Sequence, residues 1–120
     1  MKTAATIFIA IIALQHLYIL WMEMFAWETV GKKVFKKALP AEMFRPTKTL
    51  AANQGLYNGF LAAGLIWTFF INDIVWKINI SNFFLSCIAV AGIYGAITAS
   101  KKIFFVQALP AMFALVFVNV

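Results

Sequence analysis

The sequence predicts an all-α protein: a four-transmembrane-helix bundle with a basic cytoplasmic loop between helices 1 and 2. Three observations predict it. Of 120 residues, 64% are hydrophobic and only 12% charged, whereas a soluble globular chain carries roughly 25% charged residues, so there is too little polar surface to cover a fold in water. The apolar residues fall into four runs, each near the roughly 20 residues an α-helix needs to cross hydrocarbon. Charges lie between these runs, with the single exception of Glu23.

All 120 residues form one integral membrane domain on this reading. The first helix is expected over about residues 3–28. Its apolar region exceeds the roughly 7–15 residues of a signal sequence, and Glu23 interrupts its end, so it reads as a retained span. The second helix is expected over 49–72 and the third over 78–100. The fourth, 103–120, is the shortest and carries Pro110 in its interior, which predicts a kink or tilt. Gly55, Gly59 and Ala63 recur at spacing four in the second helix, as do Ala91, Gly95 and Ala99 in the third, a pattern that permits close approach of helices.

The net charge of +6 acquires its meaning from its distribution. Threading four helices places Lys32, Lys33, Lys36, Lys37, Arg45, Lys48, Lys101 and Lys102 on one side and only Lys2 and Lys77 on the other. Positively charged loops stay cytoplasmic, so both termini are expected outside a bacterial inner membrane, and the basic excess is a topology signal rather than a nucleic-acid site. The loop GKKVFKKALPAEMFRPTK alternates basic pairs with Val34, Phe35, Leu39, Met43 and Phe44. It reads either as a segment lying on anionic headgroups or as a solvated linker interrupted by Pro40 and Pro46.

Several chemistries find no support. Cys87 is the only cysteine, which excludes an internal disulfide and a cysteine zinc site within one chain. Ser81, Ser86, Ser100 and Cys87 have no evident base beside them, and no glycine-rich phosphate loop occurs. The single histidine allows at most one axial haem ligand, the methionines read as packing, and no cofactor or metal is expected.

The stretch LQHLYILWMEMFAW concentrates the unusual chemistry. His16 and Glu23 are nearly two helical turns apart, about 20° from sharing one line and about 10.5 Å apart along the axis. A carboxylate facing lipid there costs about 2.5–3.5 kcal/mol, so this face is expected to point inward. The antiparallel second helix, TLAANQGLYNGFLAAGL, is expected to bring Asn53 and Gln54 to the depth of Glu23, and Tyr57 and Asn58 toward that of His16. Tyr94 and Gln107 fall in the same cytoplasmic half. These eight residues are the candidate ligand-binding set; each amide also has the plainer role of bonding helices together.

The strings HLYILWMEMFAW, LAANQGLYNGFLAAGL and QALPAMFAL, in this order with a basic loop between the first two, resemble the small bacterial four-helix integral membrane family catalogued as domain of unknown function thirteen-oh-four. The resemblance spans nearly the whole chain. It implies the fold and no established activity, and by motif it carries over His16, Glu23, Asn53, Gln54, Tyr57, Asn58, Gln107 and Pro110.

The leading functional expectation is a polar intramembrane site that binds or transports a small cationic or amphipathic molecule at Glu23, backed by aromatic rings. Four helices enclose a pathway poorly, so that reading expects a homo-oligomer. The second is a membrane enzyme acting on lipophilic substrates, similar in architecture to the membrane-associated eicosanoid and glutathione metabolism family, although this second helix lacks that family's arginines. The third is an accessory or scaffold protein.

Overall fold

In a computed structural model covering residues 1–120, the first apolar run forms α1 (Thr3–Phe25). A π-helical turn (Trp27–Gly31), the single-turn α2 (Lys32–Val34) and a 3-10 turn (Ala41–Met43) lead to α3 (Lys48–Trp67). A further 3-10 turn (Thr68–Phe70) precedes α4 (Ile74–Thr98), and a second π-helical turn (Phe104–Ala108) opens into α5 (Leu109–Asn119). There is no strand, and the chain extends 48 × 25 × 17 Å. Helices α1 and α4 are each long and apolar enough to cross a membrane; the helical stretch Phe104–Asn119 is apolar but shorter.

Two boundaries differ from expectation for identifiable reasons. Helix α4 starts at Ile74 rather than 78 because the Asp73 carboxylate accepts a hydrogen bond from the Trp76 backbone N–H at 3.0 Å, an N-terminal cap that places Lys77 inside the first turn. In the fourth run the regular α-helix begins only at Leu109, after the π turn, and Pro110 stands, as expected, inside the continuous helical stretch Phe104–Asn119. Proline has no N–H to give the carbonyl one turn back, that of Val106. Gln15 Nε2 supplies the missing donor at 2.7 Å. A widened turn beside a proline, held by a side chain from another helix, takes the place of a simple kink.

The helices associate as two antiparallel hairpins. One joins α1 to α3 along their length; the other joins α4 to the second π turn and α5. Helix α1 also meets α5, and α3 meets α4. Small residues set the spacing within each hairpin: a Cβ on Gly55 would lie 2.8 Å from Met24 Cγ and 3.2 Å from the Leu20 carbonyl oxygen. In the second hairpin the close contact is at Gly92, where a Cβ would come within 2.6 Å of the Ala108 backbone nitrogen, and at Gly95 beside Ile103. The expected stripes are corrected accordingly, because Ala63, Ala91 and Ala99 are exposed. The glycines of the stripes, Gly55, Gly59 and Gly95, do meet a neighbour, and only the alanines at the same spacing fall off the contact.

The core lies toward the end that carries both termini. Ile9, Ile12 and Ala13 of α1, Leu65 of α3, Leu85 and Ile88 of α4, and Ala111 and Ala114 of α5 form it. Outward faces remain apolar, with Ile7, Leu14, Phe60, Val90 and Phe113 all exposed. The other end carries eight of the ten basic residues, those eight all exposed. There Phe44 is fully buried, its ring tilted against Trp27 at a centroid distance of 5.0 Å, and the Trp27 indole N–H donates to Thr47 Oγ1 at 3.0 Å. Phe44 therefore anchors the loop to the α1–α3 hairpin, while Val34 and Met43 stay exposed.

Candidate functional site

Three polar side chains of α1, Gln15, His16 and Glu23, bond to neighbouring elements, each to a different residue. His16, wholly buried, donates from Nδ1 to the Ile12 carbonyl at 2.9 Å. A carbonyl can only accept, so the lone pair sits on Nε2, which faces the Gln107 amide nitrogen at 3.1 Å. Together with Gln15 on Val106, this latches α1 to the π turn before α5. Glu23 lies on the same inward line but bonds α3: its Oε1 accepts from Asn58 Nδ2 at 2.8 Å. The amide of Asn58 uses its remaining hydrogen on the Gln54 carbonyl at 3.1 Å.

The second Glu23 oxygen has no such partner. Every fully buried side-chain polar atom in the protein is hydrogen-bonded, so the unpaired Oε2 reaches the accessible surface through the 5% of Glu23 that remains exposed. The surroundings of Asn58 locate the opening. Residues Gln54, Asn58, Leu61 and Leu65 follow one another at i, i+4, i+7 and i+11, one row along α3. Leu65 is sealed in the core, Leu61 and Asn58 are partly covered, and Gln54 is exposed. At the same level the α1-facing side of α3 stays covered, with Ala51 and Gly55 buried, so cover is lost toward the basic end only on the flank that carries Gln54.

Helix α4 carries the matching signature. Gly64 of α3 packs against the Phe84 ring of α4. Two antiparallel helices that remained in contact would next oppose Tyr57 to Ala91 and then Leu50 to Thr98, one and two heptads along the same stripes. Instead Tyr57 is 66% and Leu50 70% exposed, and Ala91 and Thr98 are exposed as well. Beyond the Gly64–Phe84 contact, neither stripe is covered by the other helix, and Ala91 instead borders the outward groove of α4.

Of the sequence-predicted residues, the structure joins His16 to Gln107 and Glu23 to Asn58. The others are placed differently. Asn53, exposed, donates back to the Thr49 carbonyl at 3.0 Å. The Gln54 side chain makes no hydrogen bond within the chain, and Tyr57 packs edge-on to Phe60. Tyr94 lies exposed on a shallow groove of α4 with Phe83, Ser86, Cys87, Val90 and Ala91. Asn53 and Gln54 do lie near the depth of Glu23, since a Cβ on the adjacent Gly55 would be 3.0 Å from Glu23 Cβ, but the amide that meets the carboxylate is that of Asn58, one turn further along α3. Sequence reasoning missed Gln15; an uncharged amide within an apolar run, beside His16, was the available signal. It also missed the reciprocal amide pair Asn82–Asn119, at 3.0 and 2.8 Å, which ties α4 to the end of α5. No three His, Cys, Asp or Glu side chains come together to hold a metal ion.

Comparison with known proteins adds kinship without chemistry. The family described as "Protein of unknown function (DUF1304)" matches residues 10–119. "Uncharacterized protein YpaA" of Lactococcus lactis subsp. lactis (strain IL1403) is 32% identical over 116 residues, covering 95% of this chain and 96% of that protein. No solved structure matches.

Proposed function

The chain belongs to the family described as "Protein of unknown function (DUF1304)", and from that premise we propose a multi-pass protein of the bacterial cytoplasmic membrane that binds a small cationic or amphipathic molecule at Glu23. The apolar outer surface, the two helices long enough to span and the collection of basic residues at one end support the membrane placement. On this reading α3 and the stretch Phe104–Asn119 complete four spans, with both termini outside.

One observation carries the ligand assignment: the carboxyl of Glu23 is almost enclosed, with one oxygen held by Asn58 and the other left without a partner at the accessible surface. An acidic group sunk among apolar side chains is expensive to maintain, which makes it a functional candidate by default. A cation placed at Oε2 satisfies that oxygen, and the exposed ring of Tyr57 offers an aromatic face to an organic cation.

The test is Glu23→Gln in reconstituted vesicles, with the lipophilic cation tetraphenylphosphonium as probe. Glutamine keeps an oxygen for Asn58, so the thermal midpoint stays near that of the parent while bound probe falls by at least about tenfold. Unchanged binding by this variant would refute the assignment.

An accessory or scaffold role draws support from a separate observation, the mutual pairing of polar side chains between helices at His16–Gln107 and Asn82–Asn119. On that reading no Glu23-dependent cation binding is measured in the parent protein.

A further inference from the structure

The segment between α1 and α3 is folded onto the hairpin rather than strung between its helices. Helix α1 stops at Ala26, whose backbone (φ −137°, ψ 27°) leaves the helical region, and the chain is helical again from Trp27. From there the covered positions recur about one turn apart, with Trp27, Val30 and Phe35 half-buried and Gly31 buried. Trp27 holds both arms of the segment: its ring centroid lies 5.7 Å from that of Phe35 and 5.0 Å from that of Phe44. Backbone bonds from Ala38 and Leu39 to the Phe35 carbonyl, and from Met43 to that of Pro40, close the turns between the arms.

What this packing leaves outside is basic and apolar together. Lys32, Lys33, Lys36, Lys37, Arg45 and Lys48 are all exposed, and Glu42 is the one acid among residues 32–48. Val34 and Met43 are exposed between these cations. Water favours the cations but not the two apolar side chains, and a phosphate backbone in solution offers Val34 and Met43 no hydrocarbon. The boundary between headgroups and acyl chains suits both kinds at once. Position favours the same partner, because Lys32 follows closely on the end of α1 at Phe25 and Lys48 is the first residue of α3. The cations therefore stand where two of the spans leave the bilayer.

On the membrane placement above, and independently of the Glu23 site, we propose that residues 32–48 form a docking surface for anionic phospholipid headgroups, with the cations on the phosphates and Val34 and Met43 dipping into the acyl boundary. A zwitterionic headgroup brings no net charge for the cations to meet, so the surface selects anionic lipid from the leaflet around it.

The experiment uses the full chain in nanodiscs of phosphatidylcholine, with and without phosphatidylglycerol. In a Cys87→Ser background, one nitroxide label is placed at Val34→Cys or at Met43→Cys, and its collisions with oxygen and with a water-soluble nickel complex report whether it lies in hydrocarbon or in water. Phosphatidylglycerol is expected to shield both labels from nickel, and high salt to expose them again. Spin-labelled phosphatidylglycerol is expected to associate with the chain at least about fivefold more strongly than spin-labelled phosphatidylcholine, the effect of a single lysine at an anionic surface. Lys32→Gln, Lys33→Gln, Lys36→Gln and Lys37→Gln together lower that ratio at least about threefold and return the labels to water, while the remaining cations preserve the topology.

Labels that stay open to nickel in both lipids, or equal association of the two spin-labelled lipids, overturn the docking surface and leave a solvated linker in an embedded protein. A short RNA that binds the chain in phosphatidylglycerol nanodiscs and draws the labels into water overturns it in favour of nucleic acid. Extraction of the chain from liposomes by alkaline carbonate would remove the membrane placement and the docking surface together.

Discussion

The two ends of this bundle are built from the same four helices and obey opposite rules. At the end carrying the termini, Ile9, Ile12, Leu65, Leu85, Ile88 and Ala111 are sealed together, and all four helices contribute. Toward the basic end the two hairpins are joined by side-chain hydrogen bonds from Gln15 and His16 to the second π turn, while Tyr57 below Gly64 and Ala91 above Phe84, equivalent positions of the same stripes, lie open. The closed end supplies the cohesion that lets the open end hold an acidic group and unpaired amides at positions an apolar core would not tolerate. Stability and chemistry are thus divided along the helix axis rather than between domains.

The sharpest way to break this comparison is to cut equal volumes from both ends. Leu85→Ala removes a side chain that is wholly buried at the closed end and is expected to cost about 2–5 kcal/mol, as cavities in close-packed interiors do. Leu50→Ala, the same deletion at a position 70% exposed, is expected to change stability by about 0.5 kcal/mol or less. Reversible unfolding in mixed micelles measures both. Similar costs would mean that Leu50 is covered and that the bundle is closed at both ends.

A smaller effect tests how the open end is held. Asn58→Leu removes the Nδ2 donor from Glu23 and is expected to cost about 1–2 kcal/mol, the range for hydrogen bonds between helices in bilayers. A double-mutant cycle with Glu23→Leu should return a coupling of about 0.6–1.7 kcal/mol. Zero coupling would leave the Glu23–Asn58 contact without energetic weight and assign the open end's cohesion to the Phe44–Trp27 anchor.

Much of the fold was legible because hydropathy records how long each run is and where charge is excluded. It also showed that the line through His16 and Glu23 must turn inward, since burial of a carboxyl leaves little choice. What hydropathy could not record is which inward-facing positions a neighbour actually covers. Gln54 and Leu65 lie on one row of α3, yet one is exposed and the other sealed, a difference set by what lies against α3 at each level and not by the α3 sequence itself. The Gln107 pairing was hidden for a related reason. The π turn Phe104–Ala108 advances the helix phase ahead of α5, so a regular helical wheel does not give the facing of Gln107. Gly92 escaped because Ala91, Gly95 and Ala99 form the more regular stripe, although the glycine that meets the Ala108 backbone lies one position away.

The smallest expected effect concerns the residue that marks the boundary between the two ends. The side-chain amide of Gln54 forms no hydrogen bond within the chain, and what Asn58 bonds at this position is the backbone carbonyl, which any residue supplies. Gln54→Leu therefore removes nothing that holds α3 in place, and it replaces an exposed amide with an apolar side chain suited to hydrocarbon. Its unfolding free energy should match the parent within about 0.5 kcal/mol or exceed it. A loss of more than about 1 kcal/mol would show that this amide is bonded in the assembled protein, by a partner that covers this flank of α3, and would end the distinction between a closed and an open end.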